Sequence, residues 1–250
     1  MAIPTPDTPQ NVDLQFMVGD AGNTFIDEEK TQSSYASTQP DKRSMMWQVG
    51  TINAEHNWKI TKTVFVDPTR NSPIQRTTFT ALNGKKVGDF NLYVLHKPAI
   101  DGDNYHEDGK VAGYDNRITL VTSGNPARGG SGGSGGSASA LAVSLPWRLA
   151  GSTPMASVGA QGLSDGWTDL MADNAMDYAY SRVTNASVVE MGWIDLGCPS
   201  AISVSFDVVV GFGKTEKEAI DTASGTPHGD CRVVAMAALC ACAHVRSQRS

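Results

Sequence analysis

The sequence contains little charge and few aromatic residues, and it has no cysteine before Cys198. Charged residues make up 18% of the 250 residues and aromatic residues 7%, whereas hydrophobic residues make up 40%. A disordered chain combines low hydrophobicity with high net charge, so this composition predicts a packed protein, and its many Gly, Ser and Thr residues favour β-structure. No apolar run approaches the roughly 20 residues that cross a bilayer, so no transmembrane helix is expected.

The net charge of −6 argues against general binding to a phosphate backbone, although it is compatible with a local basic surface. The cysteines all lie in the C-terminal part, at Cys198, Cys231, Cys240 and Cys242. The opening residues MAIPTPDTPQ show no signal-peptide pattern, so reduced thiols are expected rather than a disulfide framework. The prediction is a soluble protein in the cytoplasm or in a particle.

A glycine–serine repeat interrupts the chain at residues 129–137, which read GGSGGSGGS. Three perfect copies of a triplet that resists packing indicate a flexible linker, engineered to join two folded pieces; a natural glycine-rich loop is the alternative. A flexible coil of nine residues spans about 15–18 Å, so Arg128 and Ala138 should lie close together. The predicted division of the chain is residues 1–127, a linker at 128–139, and residues 140–250.

The part before the linker is predicted to be an antiparallel sheet or sandwich that follows an extended, proline-rich arm at residues 3–10. Short β-type runs separated by turn signals, with no convincing helical period, support this prediction. Asn83–Gly84 is a turn dipeptide that requires positive φ. The predicted strands are 14–18, 24–26, 45–52, 58–66, 74–82, 90–95 and 117–122.

The part after the linker is predicted to be α+β. Strands are expected at 188–196 and 201–210, where apolar residues alternate or run continuously. Apolar residues at helical spacing predict helices at 165–183, with Ser164 as its cap, at 215–223 and at 230–245. The last of these is Ala-rich and apolar on most sides, so it should be buried. The predicted fold class is therefore a β-sheet piece joined by a flexible linker to an α+β piece.

Two loops imitate ligand-binding motifs. Residues 211–215 read GFGKT between a strand and a helix, as in a phosphate-binding loop, but Val208 stands where the full motif needs glycine, so we prefer a tight turn. Residues 101–109 concentrate carboxylates as a calcium loop does. His106 and Ala112, however, occupy the positions where an EF-hand needs Gly and Glu, so a solvated acidic loop is preferred.

Two cysteine arrangements carry weaker hypotheses. Cys240, Cys242 and His244 have metal-ligand spacing, but only two of them share a helix face, so packing is preferred. His228 lies three residues before Cys231 and could form a catalytic pair with it, but Asp230 as a helix cap explains the same residues. No metal and no cofactor are expected.

Basic and aromatic residues interleave along the strands of the first part, which suggests a surface that binds single-stranded nucleic acid through charge and stacking. Strand alternation also points the side chains of Lys59 and Trp58 to opposite faces of the sheet, which is typical of a sheet with one solvated face and one core face. The candidate binding residues are Trp58, Lys59, Lys62, Arg76, Lys85 and Lys86.

No motif brings acid, base, nucleophile and metal ligands together, so the sequence favours a non-catalytic structural or assembly protein. The expectation is a shell or coat-type subunit that forms homo-oligomers, or two tethered interaction partners. A hairpin, a multi-stranded sheet and a C-terminal helix resemble in outline the small coat proteins of RNA phages. The alternatives are a module that binds nucleic acid or protein through the basic sheet face, and a small enzyme dependent on His228, Cys231 and Lys214.

Overall fold

A computed structural model gives the fold of the protein and describes residues 10–102, 105–114, 117–124, 137–226 and 232–234. Several sequence predictions lie outside these residues: the proline-rich arm up to residue 9, the repeat at 129–136, and the residues His228, Cys231, Cys240, Cys242 and His244. The helix predicted at 230–245 also lies largely outside them. Its described part, Arg232–Val234, is a strand.

The described residues form two antiparallel sheets that pack face to face. The small sheet has five strands in the order β13-β15-β7-β1-β2. These are β1 (Asn11–Asp20), β2 (Ile26–Glu28), β7 (Phe90–Pro98), β13 (Ala156–Ala160) and β15 (Val188–Ile194). Because β1 and β2 pair with Met17 opposite Glu28, the predicted hairpin at the start of the chain is present.

The large sheet has ten strands in the order β14-β8-β9-β10-β16-β6-β5-β4-β3, with β17 pairing on β16. Its strands are β3 (Ser34–Thr38), β4 (Trp47–Asn53), β5 (Trp58–Val66), β6 (Pro73–Ala81), β8 (Glu107–Tyr114), β9 (Arg117–Gly124), β10 (Ala138–Val143), β14 (Arg182–Ala186), β16 (Ser203–Gly213) and β17 (Arg232–Val234). A separate two-stranded ribbon consists of β11 (Leu149–Ala150) and β12 (Thr153–Pro154).

Strands from both sides of the glycine–serine repeat occur in each sheet. β10, directly after the repeat, pairs with β9, directly before it, and places Ala138 opposite Ser123. β10 also pairs with β16 along its whole length. The residues before and after the repeat therefore share both sheets and a single central core, with the repeat in the connection between two adjacent antiparallel strands.

Two α-helices cover the outer faces of the sheets. α1 (Gly166–Asp173) is capped by Asp165, whose side chain accepts from the Thr168 N–H at 2.9 Å; the predicted cap, Ser164, precedes it. The helix ends at Asn174 with φ 65°, far short of the predicted residue 183. α2 (Glu216–Gly225), capped by Thr215, lies where the sequence predicted a helix. Two 3₁₀ turns, η1 (Val87–Asp89) and η2 (Ile100–Gly102), flank β7.

The central core lies between the sheets and contains aromatic contacts across it. The Phe16 ring of the small sheet meets the Phe206 ring of the large sheet edge-on, with centroids 5.9 Å apart. Phe79 and Phe90 make a similar contact at 5.4 Å. Such pairs add about 0.5–1.5 kcal/mol each beyond the apolar area that they bury. The fold is thus a mostly antiparallel β-sandwich with few helices.

Cysteine chemistry differs from the expectation. Cys198 is disulfide-bonded. The prediction that the thiols are reduced is therefore wrong for Cys198. In the described part of the chain, no helix is long and apolar enough to cross a membrane.

Candidate functional surface

The residues predicted to bind nucleic acid do not form one exposed face. Trp58 is fully buried, and its indole N–H donates to Asp27 Oδ2 at 2.7 Å. Lys62 is 8% exposed, and its ammonium group donates to Glu29 at 2.8 Å. Neither side chain can stack on a base or contact a phosphate, because each is held in the core by a buried carboxylate.

Arg76 and the remaining lysines lie elsewhere. Arg76 Nε and Nη2 donate to the two carboxylate oxygens of Asp207 at 3.0 and 3.2 Å. This pairing raises the pKa of Arg76, against the opposing effect of burial. Lys59 is exposed on the outer face of β5, whereas Lys85 and Lys86 lie in the turn after β6. Nucleic-acid binding by these three lysines stays a prediction.

The loops that imitate ligand sites have structural roles. In residues 211–215, Thr215 Oγ1 accepts from the Glu218 N–H at 3.2 Å as the cap of α2, and Gly211 packs directly against the backbone of Ala223. A side chain at Gly211 would collide with that helix, which explains the glycine without a phosphate. In the acidic loop, Glu107 is 1% exposed and accepts from the Ile100 N–H at 2.7 Å.

Buried carboxylates connect the sheets and their edges. Glu190 accepts from Thr122 Oγ1 at 2.7 Å and lies 2.7 Å from His96 Nδ1, which joins a small-sheet pair to the large sheet. Asp27 bonds Trp58, and both its oxygens lie within 3.0 Å of His56 Nδ1. These acids satisfy buried donors and hold the sandwich together. Among the described residues, no group of three His, Cys, Asp or Glu side chains is placed to hold a metal.

The inner face of the large sheet extends beyond the small sheet that packs on it. The part that extends beyond is the strongest candidate surface. We call it the sheet margin and define it as Tyr35, Ser37, Trp47, Val49 and Val64. Pairing places them on the core-facing side: Trp47 lies opposite Val64, Val49 is paired to both Ser37 and Lys62, and Tyr35 lies opposite Thr51. Lys62 and Thr51 are buried, whereas Tyr35 is 77% and Trp47 46% exposed.

The edge of the cover is formed by Glu29. Its carboxylate accepts from Lys62 Nζ, from Thr51 Oγ1 at 2.9 Å and from the Phe16 N–H at 3.1 Å. Beyond these contacts, Val49 and Val64 are half-buried, and Tyr35 and Trp47 are exposed. Burial on this face therefore decreases beyond Glu29.

A second group of exposed apolar side chains lies on α1 and in the turn before it. Leu163, Trp167 and Met171 recur every four residues and are 79%, 38% and 48% exposed. Trp167 and Met171 share one side of α1, whereas Leu163 lies in the turn before the helix. The buried side of the same helix inserts Leu170 into a cluster with Met17, Tyr93 and Met191 of the small sheet.

Comparison with known proteins identifies the kind of domain that this sandwich is. A family model described as glucodextranase, domain N, matches residues 1–237. The chain belongs to the glucodextranase domain N family. The expectation of a shell or coat-type assembly protein is therefore wrong, because the family that the chain matches is described as a domain of glucodextranase and not as a coat protein. Outline resemblance misled, since hairpins, sheets and helices recur in unrelated proteins.

Two relatives support the same placement. The glucoamylase of Clostridium sp. (strain G0005) is 27% identical over 217 residues, which is 87% of this chain and 28% of that protein. A bacterial glucoamylase solved in complex with acarbose is 25% identical and superposes with a TM-score of 0.75, over 90% of this chain and 30% of that one. The chain thus spans less than a third of the length of either relative.

The sequence contained a partial signal for the sheet margin. Alternation within the predicted strand 45–52 places Trp47 on the same side as Val49 and Thr51, so it correctly predicts one shared face. Alternation cannot tell which end of that face is covered. Glu29, which ends the cover, lies 33 residues before Lys62 in the chain, and nothing local pairs them.

Proposed function

We propose that this chain is a non-catalytic, supporting β-sandwich domain of an enzyme that hydrolyses α-glucans. The observation that carries the proposal is the family match over residues 1–237, together with two glucoamylase relatives of which the matching region is less than a third. The remainder of such an enzyme would contain the hydrolytic site. The proposal places this chain beside that site and not in it.

The burial of three glutamates supports a non-catalytic role for those residues. Glycoside hydrolysis commonly requires two carboxyl groups on either side of the scissile bond, both within reach of the sugar. Glu29, Glu107 and Glu190 are at most 2% exposed, and each accepts hydrogen bonds from internal groups. They therefore face the core and are unavailable to a sugar.

Two further acids are engaged in local structure. Asp165 caps α1 and accepts from Thr168 through both its oxygens. Asp169, 5% exposed, accepts from the N–H groups of Asp177 and Tyr178, both at 2.7 Å, and so turns the chain back after α1. Burial raises the pKa of Asp169, and those two hydrogen bonds partly offset the effect. Its oxygens are used in stabilising a turn.

The first test measures glucose release from soluble starch and from dextran by the purified chain, with the Clostridium glucoamylase as the positive control. We expect no release above the blank. Release that rises in proportion to the chain concentration would show that the chain itself is catalytic and would refute the proposal.

The second test replaces the matching segment of the Clostridium glucoamylase with this chain and compares the chimera with a version that lacks the segment. We expect the chimera to recover soluble expression and glucose release that the deletion loses. A deletion variant as soluble and active as the intact enzyme would show that the domain gives no support.

A further inference from the structure

We infer that the sheet margin binds a neutral oligosaccharide, specifically a segment of the α-glucan on which the enzyme acts. This inference rests on the proposed function and adds to it a ligand and a site. The observations that carry it are the placement of two exposed rings, the size of the side chains between them, and the charge of the surface.

The two rings lie at opposite ends of the margin on the same face. Tyr35 pairs with Thr51, and Trp47 lies four residues from Thr51 along β4. With a rise of about 3.3 Å per residue and about 4.8 Å between strands, the two Cα atoms are about 14 Å apart. Both rings are exposed, Tyr35 by 77% and Trp47 by 46%, so a ligand lying on this face can contact each of them.

The surface between the two rings consists of short side chains, one polar and one apolar. Ser37 and Val49, directly paired, occupy the row between Tyr35 and Trp47 and present a hydroxyl beside a short aliphatic group. An extended ligand can therefore lie across them and reach both rings. The exposed group at α1 differs, because it contains a single aromatic ring, Trp167, beside Leu163 and Met171.

Charge favours an uncharged ligand. The rows of the margin contain one charged side chain, Lys62, which is buried and whose ammonium group pairs with both carboxylate oxygens of Glu29. A nucleic acid would require free cations along its phosphates. A pyranose ring is neutral and has an apolar C–H face that packs on an aromatic face, while its hydroxyl groups remain hydrated at the edge.

The expected affinity is weak, because the surface is shallow and open. Two stacked sugar units with few directional hydrogen bonds suggest a dissociation constant on the order of 1 mM. Such a site would hold glucan near the enzyme without slowing its release.

The test titrates the chain with maltoheptaose and, separately, with isomaltoheptaose, by calorimetry and by tryptophan fluorescence. We expect saturable binding of at least one of them, with an affinity that is unchanged between low and high salt. Trp47→Ala should weaken binding at least tenfold and Tyr35→Ala several-fold, whereas Trp47→Phe should retain part of it. Trp167→Ala is the matched control, since that tryptophan is similarly exposed on α1, and it should bind within twofold of the wild type.

Melting curves confirm that each variant is folded before it is titrated. Binding that Trp47→Ala leaves unchanged, or that Trp167→Ala weakens equally, would overturn the inference. So would the absence of saturation with either sugar, or tight, salt-sensitive binding of a single-stranded oligonucleotide that Trp47→Ala abolishes. If sugar binding fails while the chain releases no glucose and the chimera is active, the supporting role stands and only this site is refuted.

Discussion

Two tryptophans on the same face of the large sheet have opposite surroundings. Trp58 begins β5, is fully buried between the sheets, and donates its indole N–H to Asp27. Trp47 begins the neighbouring strand β4 and is 46% exposed. Both tryptophans begin a strand, and they differ in whether other residues pack over them. Residues in and directly after β2 pack over the end of the inner face that contains Trp58, and they do not reach the end that contains Trp47.

The two tryptophans show which residues border the packed core of this sandwich. Asp27 and Glu29 reach from the edge of the small sheet to donors on β4 and β5, and each carboxylate accepts at least three hydrogen bonds. Packing of apolar side chains continues up to this pair of acids and then stops. In such a sandwich, hydrogen-bonded polar groups border the apolar core at one end. Apolar side chains beyond that border can remain exposed and available for binding.

Replacing each tryptophan by alanine should produce the largest difference between the two regions. Trp58→Ala removes a fully buried ring and leaves Asp27 without one of its donors, so the free energy of unfolding should fall by about 3–5 kcal/mol. Trp47→Ala should cost less than about 1 kcal/mol, because its ring is already half in water. Urea unfolding of both variants measures this, and equal losses would show that the margin is packed as tightly as the core.

Lys62→Met should have a smaller but clear effect on stability. The change leaves the Glu29 carboxylate buried without its cation, and it should cost about 2–3 kcal/mol because Thr51 and the Phe16 N–H still bond that group. The control is Lys59→Met on the exposed outer face of the same strand, which should stay within about 0.5 kcal/mol. An unchanged free energy of unfolding for Lys62→Met would mean that the ion pair with Glu29 does not stabilise this end of the core.

The pH dependence of stability should distinguish two other carboxylates, those of Asp169 and Asp20. Burial raises the pKa of Asp169 above 3.8, so the folded state binds more protons, and stability falls as the pH rises from about 3.8 through the folded-state pKa. Asp169→Asn removes this loss. The stability of the variant relative to the wild type should therefore increase with pH across that window.

Asp20→Asn is the control with the opposite sign. Burial alone would raise the pKa of Asp20, but hydrogen bonds from Thr24, Phe25 and Gly22 together hold it below 3.8. The stability that Asp20 provides is present above about pH 3.8 and is lost as the pH falls through the folded-state pKa. The variant should thus lose more stability at neutral pH than in acid, and parallel profiles for the two variants would contradict both assignments.

Much of the secondary structure could be predicted from local sequence. The predicted strand 58–66 coincides with β5, and 74–82 is displaced by one residue from β6. Both residues of the Asn83–Gly84 turn have positive φ. The helix predicted to reach residue 183 was overextended, because Asp169 captures the N–H groups of residues 177 and 178 and so redirects the chain.

The candidate site could be predicted only in part. Interleaved charge and aromatic residues drew attention to β5, but Lys62, predicted to bind nucleic acid, is buried on the core-facing side of that strand. A basic side chain at a core position indicates a buried acid somewhere, and its identity depends on long-range packing. The exposed rings of Tyr35 and Trp47 carried no motif at all.

Local sequence was enough to predict strands such as β5 and β6 and the turn at Asn83–Gly84, but not β8, β10 or β13, because φ preferences and alternation act over only a few residues. The tertiary structure alone decided that both sides of the glycine–serine repeat share two sheets, and that one tryptophan is core while the other faces solvent. Those outcomes depend on contacts between residues far apart in the chain, such as Asp27 with Trp58 and Glu29 with Lys62. Local preference does not encode them, since burial is decided by what else packs against the same face.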